Sequence, residues 1–121
     1  MVLDTNILIS YLNEDEAIVE HLNTWFANHV ALFVSAISYG EVLSIPEANP
    51  TDIRKMKEFL DNFIFVDINK SIAEMTAEIR KKSKLKFPDA AIVATAKYLD
   101  VSLVTRDKQL HKIKDISIIK I

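Results

Sequence analysis

The chain has 121 residues, half of them hydrophobic, and a formal net charge of −2 at pH 7. This length predicts one compact domain, residues 1–121, with a core that needs no cross-links. The absence of cysteine excludes disulfides, thiolate zinc sites and a cysteine nucleophile, and it is compatible with the reducing cytoplasm. No apolar run is long enough to span a bilayer and no signal peptide is visible, so we expect no membrane partner.

Short apolar runs alternate along the chain with longer segments of helical periodicity. In chain order, the predicted elements are a strand at Val2-Leu3, helices at Asn6–Leu12 and Asp15–Ala27, a strand at Ala31–Val34, helices at Tyr39–Ser44 and Asp52–Phe63, a strand at Ile64–Val66, a helix from Ser71, a helix at Asp89–Leu99, a strand at Ser102–Val104, a short helix at Lys108–Ile113 and a strand at Ile116–Ile119. This alternation predicts an α/β fold with a parallel sheet, and the wholly apolar strands favour a sheet covered on both faces.

Two helices of the second half carry start signals. Ser71 with Glu74 three residues later has the spacing of a capping box. Pro88 suits the first turn of the following helix, which is apolar on nearly every face. We therefore expect that helix to be buried against the sheet.

Acidic side chains follow the predicted strands. Asp4 comes directly after the first strand, Glu41 lies on the helix after the second, and Asp107 follows the fourth with Thr105 beside it. Asp89 opens the buried helix. Ligands of open parallel sheets bind outside the carboxyl ends of the strands, so these acids are expected to converge at one edge.

Convergence of acids has an electrostatic cost that a cation would relieve. Two carboxylates about 5 Å apart repel by roughly 3 kcal/mol at an effective dielectric near 20. Such a cluster either holds protons or recruits an ion, and hard oxygen ligands favour Mg²⁺ or Mn²⁺. The expected chemistry is metal-assisted attack by water on a phosphoryl group.

Each acid also has a purely structural interpretation. Asp4 could cap the first helix, and Glu41 lies three residues after Ser38, at capping-box spacing. Asp89 suits the positive end of a helix dipole, and Asp107 could cap the short helix that follows it. The four positions together favour a functional acidic site, because helix capping alone does not require acids from four separate elements to converge at one edge of the sheet.

Four segments resemble the motifs of the PIN-domain family, in particular the VapC-type toxin nucleases of toxin–antitoxin pairs. They are Met1–Ile9 (MVLDTNILI), Ser35–Leu43 (SAISYGEVL), Pro88–Ala96 (PDAAIVATA) and Leu103–Asp107 (LVTRD). The order matches the family and the resemblance spans nearly the whole chain. Some relatives carry a further acid shortly after the fourth motif, where this chain has Gln109.

The resemblance implies a three-layer α/β/α sandwich around a five-stranded parallel sheet. It implies a Mg²⁺- or Mn²⁺-dependent endoribonuclease, often a homodimer, that is inhibited by a cognate antitoxin protein. Carried over by position, the metal-site and catalytic acids are Asp4, Glu41, Asp89 and Asp107, and the supporting polar residues are Asn6 and Thr105.

Basic residues are confined to the part of the chain after Ile53, and five crowd between Arg80 and Lys86. Such asymmetry favours a face for a charged partner. The predicted RNA contacts are Arg80, Lys81, Lys82, Lys84 and Arg106. The alternative is a basic helix end that balances the helix dipole.

Two rival functions remain at this stage. Asp4 could be the nucleophile of a haloacid-dehalogenase-like phosphatase, although such enzymes usually have a second Asp where this chain has Asn6. A degenerate PIN module that binds RNA or protein without cutting is the non-enzymatic alternative. The remaining aromatic and histidine residues are assigned structural positions: Leu22, Trp25 and Phe26 to the core or a dimer contact, and His21, His29 and His111 to the surface.

Overall fold

A computed structural model describes all residues from Met1 to Ile121. Its strands are β1 (Val2–Leu3), β2 (Phe33–Ser35), β3 (Ile64–Val66), β4 (Leu103–Thr105) and β5 (Ile118–Lys120). All neighbouring pairs are parallel, in the order β3-β2-β1-β4-β5. The predicted α/β fold with a five-stranded parallel sheet is confirmed.

Six α-helices and one short 3₁₀ helix surround the sheet. They are α1 (Thr5–Leu12), α2 (Glu16–Ala27), α3 (Ala36–Leu43), α4 (Pro50–Leu60), α5 (Lys70–Lys82), α6 (Phe87–Leu99) and the 3₁₀ helix Leu110–Lys112. None of these helices is long and apolar enough to cross a membrane. The predicted boundaries differ from the observed ones by a few residues, mostly at the caps.

The core is divided by the sheet into two clusters, because consecutive side chains of a strand point to opposite faces. Val2 and Leu103 belong to the cluster under α5 and α6, whereas Leu3 and Val104 belong to the cluster under α1 to α4. The molecule therefore has the three layers expected of an α/β/α sandwich. Helix α6 is buried without interruption from Ala90 to Ala96, as its apolar sequence predicts.

Several local predictions are wrong. Helix α5 is capped by Asn69, whose side chain accepts from the Ile72 N–H at 2.9 Å, so Ser71 and Glu74 form no capping box. The sheet is not covered everywhere, because Ile64 and Phe65 of the edge strand β3 are about half exposed. Single-sequence periodicity does not distinguish a central strand from an edge strand of similar composition.

The structure also locates the aromatic and histidine residues that were assigned to the core or to the surface. Leu22 is fully buried, and Trp25 and Phe26 pack partly buried against the same cluster, as a core position requires. His21 and His29 are exposed, as predicted. His111 is half-buried, with its ring Nε2 3.0 Å from the Thr105 carbonyl oxygen, so it lies at the surface and is held there by a contact that was not predicted.

Candidate active site

Asp4 lies where β1 ends and α1 begins, and its carboxylate is almost completely buried. One oxygen accepts the Thr5 backbone N–H at 2.8 Å, and the other accepts the Thr105 hydroxyl at 2.5 Å. The first bond makes Asp4 the N-cap of α1, so the capping interpretation holds alongside any functional one. The two oxygens are therefore oriented by donors at the start of α1 and at the end of β4.

Thr105 connects Asp4 to the segment after β4. Its hydroxyl donates to Asp4 and accepts the Asp107 backbone N–H at 3.0 Å. The Asp107 carboxylate in turn accepts the Gln109 N–H at 2.9 Å, which closes a turn before the 3₁₀ helix. One fully buried hydroxyl thus fixes the relative position of two acids that are far apart in the sequence.

Glu41 reaches the site from α3. The Thr5 hydroxyl donates to its carboxylate at 2.8 Å and also hydrogen bonds with Ser38 Oγ at 2.9 Å. The cap of α3 is Ser35, which accepts the Ser38 N–H at 3.1 Å. The capping-box interpretation of Glu41 is therefore wrong, and its carboxylate is held against the first turn of α1.

The pKa of Asp4 reflects its burial and the charges of two of the other acids. Burial raises the pKa of Asp4 to about 6, against the lowering effect of its hydrogen bonds from Thr105 and Thr5. The negative charges of Asp89 and Asp107 raise it further.

Asp89, in the first turn of α6, belongs to the same electrostatic region. Burial raises the pKa of its carboxyl, and the charges of Asp107 and Glu41 add to that rise, while Lys86 opposes it. The acids predicted to converge therefore influence one another from four parts of the fold. Repulsion of this kind is the condition under which a cation is stabilising.

The carboxylate and amide oxygens of the site are ligands that a hard divalent ion prefers, but they do not form a closed coordination shell. No group of three or more Asp, Glu or His side chains is close enough in this conformation to hold an ion directly. Asn6 Oδ1, two residues after Asp4, is buried and has no hydrogen-bond partner. A buried amide oxygen without a donor costs about 1–3 kcal/mol, which a hydrated ion or its water would relieve. Mg²⁺ keeps several waters and few protein ligands, so an open set of carboxylates and an amide fits it.

The predicted basic contacts have two different environments. Arg106 makes a two-pronged ion pair with Asp15, at 2.8 and 3.3 Å, and its Nε donates to the Ile121 carbonyl oxygen at 3.1 Å. This pair, mainly through its hydrogen bonds, lowers the pKa of the Asp15 carboxyl. The charge of Arg106 is therefore engaged within the chain, unlike the exposed Arg80, Lys81, Lys82 and Lys84.

Sequence reasoning missed the roles of two side chains. Thr5 hydrogen bonds to Glu41 and Ser38, and its signal was available in the Asp-Thr-Asn triplet of the first motif. His111 contacts the Thr105 carbonyl group, and no sequence pattern indicated it. These residues brace the acids rather than add further ones.

Fold and site together define a three-layer α/β protein with an acidic site at the carboxyl ends of its parallel strands. The sequence model of the PIN domain matches residues 1–116, and the chain belongs to the PIN domain family, which is a family of nucleases. No curated protein sequence matches the chain.

Solved structures of toxin–antitoxin complexes have the same fold. A complex from Klebsiella pneumoniae is 28% identical over 98% of this chain and 95% of its own, with a TM-score of 0.84. VapBC2 from Rickettsia felis, bound to a promoter DNA fragment, is 19% identical over 98% and 96%, with a TM-score of 0.85. VapBC-1 from nontypeable Haemophilus influenzae is 21% identical over 98% and 96%, with a TM-score of 0.83. The last two likenesses concern the fold alone.

Proposed function

We propose that the chain is a metal-dependent endoribonuclease that hydrolyses RNA phosphodiester bonds and is the toxin of a toxin–antitoxin pair. Membership of a nuclease family supports hydrolysis of a nucleic acid. The observation that carries the proposal is that Thr5 and Thr105 link three of the acids by hydrogen bonds, and that the charge of the fourth, Asp89, adds to the raised pKa of Asp4. Structural acids of a stable fold are normally paired with cations or hydrogen-bond donors rather than with one another.

The proposed roles follow from position. Asp4 and Asp89 hold the principal ion, Glu41 positions it or its water, and Asp107 completes the site. A bound Mg²⁺ or Mn²⁺ supplies polarisation of a phosphoryl oxygen and lowers the pKa of a coordinated water. Asn6 offers its unpartnered amide oxygen to the same set.

The supporting side chains pre-organise the acids. Thr105 holds one oxygen of Asp4 and the Gln109 N–H holds one oxygen of Asp107, so both carboxylates are oriented before substrate binds. Thr5 does the same for Glu41. Burial of Asp4 excludes water from the side of the carboxylate that faces the sheet and strengthens its interaction with any cation.

A cognate antitoxin is the proposed protein partner. The Klebsiella pneumoniae relative, whose chain is covered almost completely, is described as a toxin–antitoxin complex. We propose that this chain is likewise paired with an inhibitor protein and that it forms a homodimer in the cytoplasm.

The phosphatase alternative is disfavoured by the residue two positions after Asp4, because haloacid-dehalogenase-like enzymes usually have a second Asp there and this chain has Asn6. The family model that matches the chain is that of the PIN domain. The degenerate-module alternative is favoured by one observation, the lack of three acids at ligating distance. Metal titration separates it from the proposed nuclease, because a degenerate site should bind Mn²⁺ poorly.

The decisive experiment is a cleavage assay on defined RNAs with Mg²⁺, Mn²⁺ or EDTA. We expect cleavage with either metal, none in EDTA, and none from Asp4→Asn, whose fold is checked by circular dichroism. The matched control is Asp61→Asn, which removes an exposed carboxylate at the end of α4 and should cleave like the wild type. A mock purification from cells without the gene shows whether a contaminating nuclease is present. With no cleavage in that mock preparation, wild-type activity in the Asp4→Asn protein would end the proposal.

A further inference from the structure

A surface groove of about 590 Å³ lies between the end of α5, the loop after it, α6 and the segment 109–115. Its floor is apolar and includes Ile79, Leu85 and Val93. Its charged lining is mainly basic and consists of Lys82, Lys84, Lys97, Lys112 and Lys114, with Glu78 and Asp115 as the only acids. Five positive against two negative charges make the groove locally cationic in a chain whose net charge is −2.

The groove begins beside the acidic site. Gln109 lines it, and the backbone N–H of the same residue donates to the Asp107 carboxylate. On the other side, Lys86 is close enough to Asp89 to lower the pKa of that carboxyl, and it directly follows the groove-lining loop residue Leu85. A polymer bound at the acids could therefore continue into the groove without crossing the molecule.

Most of the groove lysines are free to bind an anion. Only Lys97 has an ion-pair partner, Asp115, at 4.0 Å, and both side chains are substantially exposed. Exposed pairs of this kind contribute little and are easily exchanged for another partner. The groove lysines thus differ from Arg106, whose guanidinium is already paired with Asp15.

The structure also divides the basic stretch that looked uniform in the sequence. Lys82 lines the groove, Arg80 and Lys81 line a neighbouring depression beside Phe87, and Lys84 lines both. Two further parts of the chain complete the groove: α6 supplies Lys97, and the segment before β5 supplies Lys112 and Lys114. The fold therefore brings together lysines from three parts of the chain.

We propose that this groove binds the phosphates of a single RNA strand on one side of the scissile phosphate. The proposal rests on the proposed ribonuclease function and names the path of its substrate. Lysine ammonium groups bind phosphates as mobile point charges, which suits sequence-independent contacts outside the reacting position. Continuity with the acidic site favours RNA over an acidic peptide, because only the substrate must occupy both places at once.

The test compares two charge-matched triple variants. The groove variant is Lys82→Gln, Lys112→Gln and Lys114→Gln, and the control is Arg54→Gln, Lys55→Gln and Lys57→Gln on α4, where the basic side chains are also exposed. Binding of fluorescein-labelled single-stranded RNA is measured in EDTA over a range of salt concentrations. Each lost phosphate contact on a single strand reduces the slope of log K against log salt by about 0.7, so we expect a reduction of about 2 for the groove variant and little change for the control.

The possible outcomes test RNA binding by the groove separately from the proposed nuclease activity. Equal slope changes in both triple variants would overturn the proposal, since the effect would then be general charge. Loss of affinity for a glutamate-rich peptide, with the RNA slope unchanged, would also overturn it and assign the groove to a protein partner. A reduced slope specific to the groove variant, without any metal-dependent cleavage by the wild type, would support the RNA path while contradicting the nuclease function.

Discussion

The acidic site and the lysine groove are adjacent but are built in opposite ways. Asp4 is buried, with both carboxylate oxygens hydrogen bonded, and Thr105 ties it to Asp107. The groove lysines that lie outside α6 are exposed and have no ion-pair partner. Charges in a water-poor site act strongly over fixed distances, whereas exposed charges are screened by salt and are held by flexible stems.

This contrast assigns a different kind of effect to each region. Substitutions around the acids should change the catalytic rate and the affinity for metal, because geometry is fixed there. Substitutions in the groove should lower the affinity for RNA and make that affinity less dependent on salt concentration, because the exposed lysines act only through their charge. The three predictions that follow test whether the acidic site is as rigidly organised as this comparison requires.

The largest effect is expected from Thr105→Val, which keeps the shape of the side chain but removes the hydroxyl that donates to Asp4 and accepts from the Asp107 N–H. Loss of a group that orients metal-site residues typically costs about 10- to 100-fold in metal affinity or activity. We expect a decrease of that size in the cleavage rate and in Mn²⁺ affinity, measured by single-turnover assays and titration calorimetry.

Two further variants control for this substitution. Thr105→Ser retains the hydroxyl and should recover most of the activity. Thr76→Val removes another buried hydroxyl, which bonds only to the Ile72 carbonyl oxygen of its own helix at 2.7 Å, and should leave Mn²⁺ affinity unchanged. Equal losses in Thr105→Val and Thr76→Val would show that Thr105 acts through general stability and not by positioning the acids.

A moderate effect is expected on the pH dependence of stability in EDTA. The pKa of Asp4 is raised from 3.8 to about 6 in the fold, so the folded state favours the protonated carboxyl. The stability that this preference contributes is fully present below about pH 4 and is lost as the pH rises through 6. A pKa difference of this size corresponds to about 3 kcal/mol. The pKa of Asp89 is raised too, which adds to the same trend.

The Asp4→Asn variant measures that contribution directly. Without the charge, we expect the protein to be more stable than the wild type at pH 7 by about 1–3 kcal/mol, and the difference should shrink towards pH 4. Urea unfolding across this pH range is the measurement, with Asp61→Asn as the control. A destabilised Asp4→Asn protein at pH 7 would contradict this expectation, and it would show that the two hydrogen bonds accepted by the carboxylate stabilise the fold by more than the buried charge costs.

The smallest effect is expected at the ion pair of Arg106 and Asp15, which joins the segment after β4 to the start of α2. Both side chains are about one-third exposed, so the pair should contribute no more than about 1 kcal/mol. A double-mutant cycle with Arg106→Gln and Asp15→Asn measures the coupling free energy. A coupling well above that value, accompanied by slower cleavage, would make the pair part of the machinery that positions Asp107.

Much of the fold followed from local patterns. The parallel sheet, the buried helix α6 and the placement of Asp4 directly after a strand could all be predicted, because alternation, apolar composition and chain order are local properties. The caps were less predictable, as Asn69 and Ser35 displaced the capping boxes expected at Ser71 and Ser38. Several polar residues near a helix start compete for the same backbone N–H groups, and packing selects among them.

The sequence by itself determined the order of the elements, the family and the acids that follow the strands, because neighbouring residues encode strand and helix periodicity. The tertiary structure alone decided how those acids are held and where the basic side chains lie. Thr105 meets Asp4 across 101 residues, Arg106 meets Asp15 across 91, and the groove collects lysines from α5, α6 and the segment before β5. Contacts between residues so distant along the chain depend on how the layers pack, and no local pattern records that packing.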